Sequence, residues 1–125
     1  MARRLILIAV LYLVAGGCLG MFMGTTMNFT LMPVHAHILL AGWVSLAVIG
    51  LIYQQIPAAA GTRLAHLHFW LHNLGLPIFM IGLAMKLTGR DIPLALPVGA
   101  LAFLLALVTF AINIWLTLGR QESAG

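Results

Sequence analysis

Pro33-Val34-His35-Ala36-His37-Ile38-Leu39-Leu40-Ala41-Gly42-Trp43-Val44-Ser45-Leu46-Ala47-Val48-Ile49-Gly50-Leu51-Ile52-Tyr53-Gln54 is the stretch on which the fold turns. It holds no Lys, Arg, Asp or Glu. A helix over Val34 to Gln54, rising about 1.5 Å per residue, crosses the hydrocarbon core of a bilayer, about 30 Å thick. Pro33 suits the first helical turn, and Pro57 lies just past the end. The only strongly polar side chains in its upper half are two histidines.

Working outward, three more blocks read the same way: Leu5 to Met27, His66 to Lys86, and Ile92 to Leu118. Over the whole chain 63% of residues are hydrophobic and 6% are charged. A water-soluble domain carries about a quarter charged residues, so this surface does not belong in water. No block alternates apolar and polar residues with period two, which excludes a membrane β-barrel. The expected fold is an all-α membrane protein, a four-transmembrane-helix bundle forming one domain over 1–125, with the lipid bilayer as its solvent.

The net charge of +4 does not mark a nucleic-acid partner, because the basic residues form no patch. Arg3 and Arg4 precede the first span, Arg63 lies between the second and third, and Arg120 follows the fourth. Lys86 and Arg90 lie between the third and fourth. Four against two places both termini and the middle loop on the cytoplasmic side, as in a bacterial-type inner membrane. The first apolar run is too long for a signal peptide and reads as a retained helix. Cys18, the only cysteine, allows neither an intrachain disulfide nor a thiolate cluster. Gly16, Gly20 and Gly24 lie on one face of the first helix. Such a ridge admits another backbone of the same protomer, a second protomer, or a flat cofactor.

Five histidines in so apolar a chain need a reason, since ionisable groups inside a membrane are expensive and usually functional. A neutral imidazole with one satisfied N–H is a good heme or metal ligand. His66 and His68 sit near the inner edge of the third span, where an interfacial or hydrogen-bonded role is the ordinary one. His72 lies one turn deeper. His68 and His72 are therefore weaker candidates as ligands.

His35 and His37 differ from these. Two residues apart on a helix they diverge by about 200°, so they address two sites rather than one ion. A single heme joining His37 to His72 within a protomer fails on depth. About 15 Å separates them along the membrane normal, against about 4 Å between axial ligands at metal–nitrogen bonds near 2 Å. A heme with two histidine ligands in this layer takes both from copies of the second helix. That requires an oligomer, and a ring with His35 of one protomer facing His37 of the next leaves no histidine idle.

His35-Ala36-His37, on a helix ending in Tyr53-Gln54-Gln55-Ile56-Pro57, resembles the helix of heme-copper oxidase subunit I that carries a His-x-His pair near its outer end. Leu64-Ala65-His66-Leu67-His68-Phe69-Trp70 is similar to the start of the next oxidase helix. Leu87-Thr88-Gly89-Arg90-Asp91-Ile92-Pro93 resembles the oxidase loop whose arginines bind heme propionates. The three stretches fall in the family's order and cover residues 33–93; the outer two helices match only as apolar helices. The superfamily takes in cytochrome c oxidase and nitric oxide reductase.

The resemblance implies heme b as cofactor, with His35 in the place of the ligand to the oxygen-binding heme. It puts His37 in the place of a ligand to the low-spin heme, and Arg90 in that of a propionate partner. The oxidase subunit has twelve helices in three arcs of four; this chain corresponds to the last arc. A homotrimer restores twelve helices, with hemes held between His35 and His37 of neighbouring protomers. The copper-binding histidines of the other arcs are absent from the sequence, so any enzymatic activity as an oxidoreductase is left open.

Electron transport or the binding of a diatomic gas (O2 or NO), with a quinol or a redox protein as partner, is what such a heme implies. Two alternatives remain. His68, Trp70, His72 and Asn73 offer contacts for quinol. Met21, Met23, Met27 and Met32, with the histidines, offer copper handling by an accessory or assembly subunit of a respiratory complex.

Overall fold

The computed structural model describes residues 1–123. Four helices are long and apolar enough to cross a membrane: α1 (Ala2–Thr26), α2 (Met32–Gln55), α3 (Arg63–Leu87) and α4 (Ala95–Glu122). There is no strand among the described residues. This is the architecture of a multi-pass membrane protein.

The ends of the helices follow local chemistry. α1 stops at Met27, which turns left-handed at φ 52° and donates its N–H to the Met23 carbonyl. α3 begins at Arg63, earlier than the apolar pattern suggests, because the Thr62 hydroxyl accepts from the Ala65 N–H at 3.0 Å and caps it. α4 begins at Ala95, later than the pattern suggests. Ile92 precedes a proline, which disfavours helical backbone there, and Leu94 then takes a left-handed φ of 67°. α3 continues through Pro77. A single helical turn, Pro57–Ala60, joins α2 to α3.

α2 is not uniform. Met32–His37 is α-helical, Ile38–Val44 is a π-helix, and Ser45–Gln55 is α-helical again. In a π segment the backbone bonds span five residues, which widens the helix and leaves carbonyls aimed outward. Two of these have outside donors. The Ser45 hydroxyl donates to the Leu40 carbonyl at 2.8 Å, and an imidazole of α3 donates to the Ala41 carbonyl.

Glycine sets the packing in both helix pairs, in two ways. Between α1 and α2, backbone meets side chain. Gly16 takes the Leu39 side chain, a Cβ built at Gly42 lies 2.5 Å from the Tyr12 ring, and one at Gly50 lies 2.7 Å from Ile6. Between α3 and α4, backbone meets backbone. A Cβ at Gly75 lies 2.9 Å from the Phe103 nitrogen, one at Gly82 lies 2.5 Å from the Leu96 nitrogen, and one at Gly99 collides with the Phe79 backbone. Close approach of this kind drives association where water supplies no hydrophobic force.

α3 and α4 share the most extensive contact, followed by α1 and α2, while α1 and α4 share none comparable. The core has two parts. Leu5, Leu46, Ile49 and Tyr53 fill the end near the Pro57–Ala60 turn; Val34, Ala41, Leu76 and Met80 fill the other. The outward faces are apolar, with Leu11 69% and Trp115 82% exposed, as lipid-facing residues should be.

Candidate functional site

The five histidines fall into two environments. His35, His37 and His66 each turn Nδ1 onto a backbone carbonyl and are only partly covered or exposed. His68 and His72 are enclosed, with no solvent exposure at all.

His35 and His37 lie in the helical turn that leads directly into the π segment. The His35 Nδ1 lies 3.0 Å from the Gly16 carbonyl of α1, and the His37 Nδ1 lies 2.7 Å from the Pro33 carbonyl of its own helix. A carbonyl oxygen only accepts, so in each case Nδ1 carries the proton and donates. The remaining nitrogen, Nε2, then holds a free lone pair. Neither Nε2 has a hydrogen-bond partner among the described residues. An imidazole whose other N–H is fixed on a carbonyl has its tautomer and orientation set for a metal.

The two rings diverge as the spacing requires. His35 lies over α1, where Gly20 leaves room: a Cβ there would sit 2.8 Å from His35 Cε1. His37 lies edge-on to Phe79 of α3, with ring centroids 5.2 Å apart and planes at 80°. One histidine addresses α1 and the other α3. The glycine ridge thus has an identified role inside the protomer: Gly16 admits Leu39 and Gly20 admits His35. Gly24 has nothing within 4 Å of the place a Cβ would take.

Arg90 is exposed in the loop between α3 and α4, its N–H bonded to the Met85 carbonyl at 2.9 Å. That loop meets the α1–α2 loop across a cavity of about 450 Å³ lined by Phe22, Met23, Asn28, Thr30, Leu31, Leu87 and Thr88. Arg90 is therefore at the same end of the bundle as His35 and His37.

His68 and His72 belong to the interior where α2, α3 and α4 meet. His68 Nδ1 donates to the Ala106 carbonyl of α4 at 2.9 Å, and His72 Nε2 donates to the Ala41 carbonyl of the π segment at 3.0 Å. Their rings stand 5.3 Å apart at 74°, walled by Tyr53, Phe103 and Phe110. The enclosure leaves no space for a porphyrin. Trp70, two residues from His68, is 59% exposed on the outside, so it and the two histidines do not line one pocket. The methionines differ in exposure: Met21 is 72% and Met27 75% exposed, whereas Met23 is buried.

Two features had no signal in the sequence. The π segment Ile38–Val44 reads as ordinary apolar helix. The other is a polar staple at the opposite end, centred on Asn113 of α4, whose partners are far away in the chain. Its amide donates to the Ala59 carbonyl at 3.0 Å and to the Tyr53 hydroxyl at 3.3 Å, and its Oδ1 accepts from Thr62 at 2.7 Å. No protein family, curated protein or solved structure matches the chain.

Proposed function

We propose that this chain is a heme b protein of the membrane, related to heme-copper oxidase subunit I, in which His35 and His37 are axial ligands and the role is electron transfer. The observation that carries this reading is the shared tautomer: both rings hold Nδ1–H on a backbone carbonyl and leave Nε2 without a hydrogen-bond partner, on side chains that are only partly covered. Iron takes a neutral imidazole nitrogen of this kind.

His35 and His37 diverge and each supplies one nitrogen, so a heme with two histidine ligands needs a second protomer. A homotrimer, with His35 of one protomer and His37 of the next on each iron, completes the coordination. One turn beyond Gly20, which His35 covers, Gly24 leaves open space on the same face of α1. Arg90, at the same end, is placed to pair with heme propionates. When bound, heme supplies a one-electron couple; with both axial positions filled by histidine the site favours electron transfer over gas binding. The chain's residues hold the iron, orient the ring and exclude water.

The same reading puts the protein in a bacterial-type cytoplasmic membrane with both termini inside, since Arg3, Arg4, Arg63 and Arg120 share one end. A quinol or redox protein then exchanges the electron.

An absorption spectrum of the purified protein tests this directly. A sharp α-band on reduction, a b-type pyridine hemochrome, about one heme per chain and a detergent-corrected trimer mass are expected. A colourless protein ends the proposal, and a monomer carrying heme ends the interface. A carbon monoxide shift of the reduced spectrum moves the reading from electron transfer to gas binding.

A further inference from the structure

The end of the bundle away from His35 and His37 carries a groove that neither histidine pair uses. It lies between the Pro57–Ala60 turn and the last turns of α4, has a volume of about 240 Å³, and is lined by Ala58, Thr62, Thr117, Arg120 and Gln121. The polar staple decides which of these can donate. The one hydroxyl proton of Thr62 is held by Asn113 Oδ1 at 2.7 Å and the Ala59 carbonyl at 3.1 Å, and that of Thr117 by the Asn113 carbonyl at 2.8 Å. Neither threonine has a proton left to give. The donors of the groove are the Arg120 guanidinium and the Gln121 amide, which no other described residue engages through a side-chain hydrogen bond.

Charge at this end is almost all of one sign. Arg3 and Arg4 open α1, whose first residues pack in the same cluster as Ala59 and Ala60, and Arg63 follows Thr62 at the start of α3. Against these three and Arg120 stands one acid, Glu122. It is turned about 200° from Arg120 on the helix and lines a separate groove with Trp115, Leu118 and Gly119. The depth is set by Trp115, which is 82% exposed. Such tryptophans sit at the headgroup level of a bilayer, and Arg120 lies about 7.5 Å farther out along α4.

We infer that this groove binds the phosphodiester of one anionic phospholipid, with the Arg120 guanidinium on its two unesterified oxygens. The planar fork of arginine matches two phosphate oxygens. One cation in the groove matches one negative charge, and the surrounding arginines repel the ammonium of a zwitterionic headgroup. At about 240 Å³ the groove is smaller than the roughly 300–1,000 Å³ of pockets that enclose a whole ligand. It takes the headgroup and leaves the acyl chains in the bilayer. Binding there ties the end of α4 to the turn between α2 and α3, and it does not depend on heme.

The test titrates the full chain, in a neutral detergent, with dioleoyl phosphatidylglycerol or dioleoyl phosphatidylcholine and counts bound lipid by native mass spectrometry. One phosphatidylglycerol per chain, held in preference to phosphatidylcholine, is expected. Arg120→Gln should weaken it at least about tenfold, as for loss of a hydrogen bond to a charged group. Arg120→Lys, which keeps the charge and loses the fork, should recover only part of that. Arg4→Gln, at the same end but outside the groove, should cost no more than about fivefold, the share of one arginine in diffuse attraction to an anionic surface. Arg120 is exposed, so its replacement leaves the core untouched. Equal losses in Arg4→Gln and Arg120→Gln assign the binding to the overall charge of this end and overturn the groove. Phosphatidylcholine held as tightly as phosphatidylglycerol, or no retained lipid at all, overturns it as well. Inorganic phosphate at the same concentration should not displace the lipid; if it does, the ligand is a free anion and the lipid assignment falls.

Discussion

The upper part of α2 and the middle of α3 each carry two histidines, and the two pairs are opposites. His35 and His37 are two residues apart, diverge, sit only partly covered, and leave Nε2 without a hydrogen-bond partner among the described residues. His68 and His72 are four apart, share a face, and are sealed among Tyr53, Phe103 and Phe110. Spacing of two serves two neighbours; spacing of four serves one. In a chain with so few polar side chains, that difference separates what a partner or cofactor reaches from what holds the bundle together.

The largest contrast lies in heme content. His35→Ala or His37→Ala should each remove an axial nitrogen from every interface and lower heme per chain at least about tenfold by pyridine hemochrome, since even outer-sphere partners of a metal are worth that much. His72→Leu should leave heme at the wild-type level. If instead His72→Leu empties the protein of heme, the two pairs are one system and the division by spacing is wrong.

The same inner substitution should act on stability. Without His72 the buried Ala41 carbonyl loses the donor that α3 supplies. Loss of a hydrogen bond of this kind costs about 0.5–1.5 kcal/mol. A fall in the detergent melting temperature, with helix content unchanged by circular dichroism, is the expected result; His66→Ala, whose ring is exposed, should not move it.

How far the sequence carried these distinctions follows from their physics. Four spans were legible because apolar length is a property of the chain itself, and the end of each span moved by only a few residues. Thr62 brought α3 forward and Pro93 held α4 back. The divergence of His35 and His37 was legible too, since it depends on a fixed rotation per residue. The enclosure of His68 and His72 was not, because it depends on which helices cover α3, and an apolar face gives no sign of whether lipid or α4 lies against it. The π segment left no trace in the pattern: Ile38 to Val44 is as apolar as its surroundings, and the widening shows only in where carbonyls point. The staple at Asn113 is equally silent, because its partners Ala59, Thr62 and Tyr53 are far away in the chain.

The glycine ridge sharpens the comparison on the outer side alone. Gly20→Ala brings a methyl to 2.8 Å from His35 Cε1, so the ring has to turn and its Nε2 moves with it. Heme should be held about tenfold more weakly, with a shifted α-band, the scale expected for disturbing a ligand's support. Gly24→Ala, placed in open space, should leave the spectrum unchanged. A silent Gly20→Ala would show that His35 is not the ligand it resembles.

The smallest effect asks what holds the π segment between the two pairs. Ser45 donates to the Leu40 carbonyl at 2.8 Å, but that carbonyl also accepts the backbone N–H of Ser45. It keeps one partner when the hydroxyl is removed. The Ala41 carbonyl, by contrast, takes its side-chain donor from a different helix, so the bond from His72 joins α3 to α2 as well as satisfying an atom. Side-chain hydrogen bonds within membrane bundles average about 0.6 kcal/mol. Ser45→Ala should lower the melting temperature by no more than that figure implies, clearly less than His72→Leu. If Ser45→Ala proves the more damaging, the π segment is a local feature of α2, and the buried histidine pair has no part in shaping the helix that carries His35 and His37.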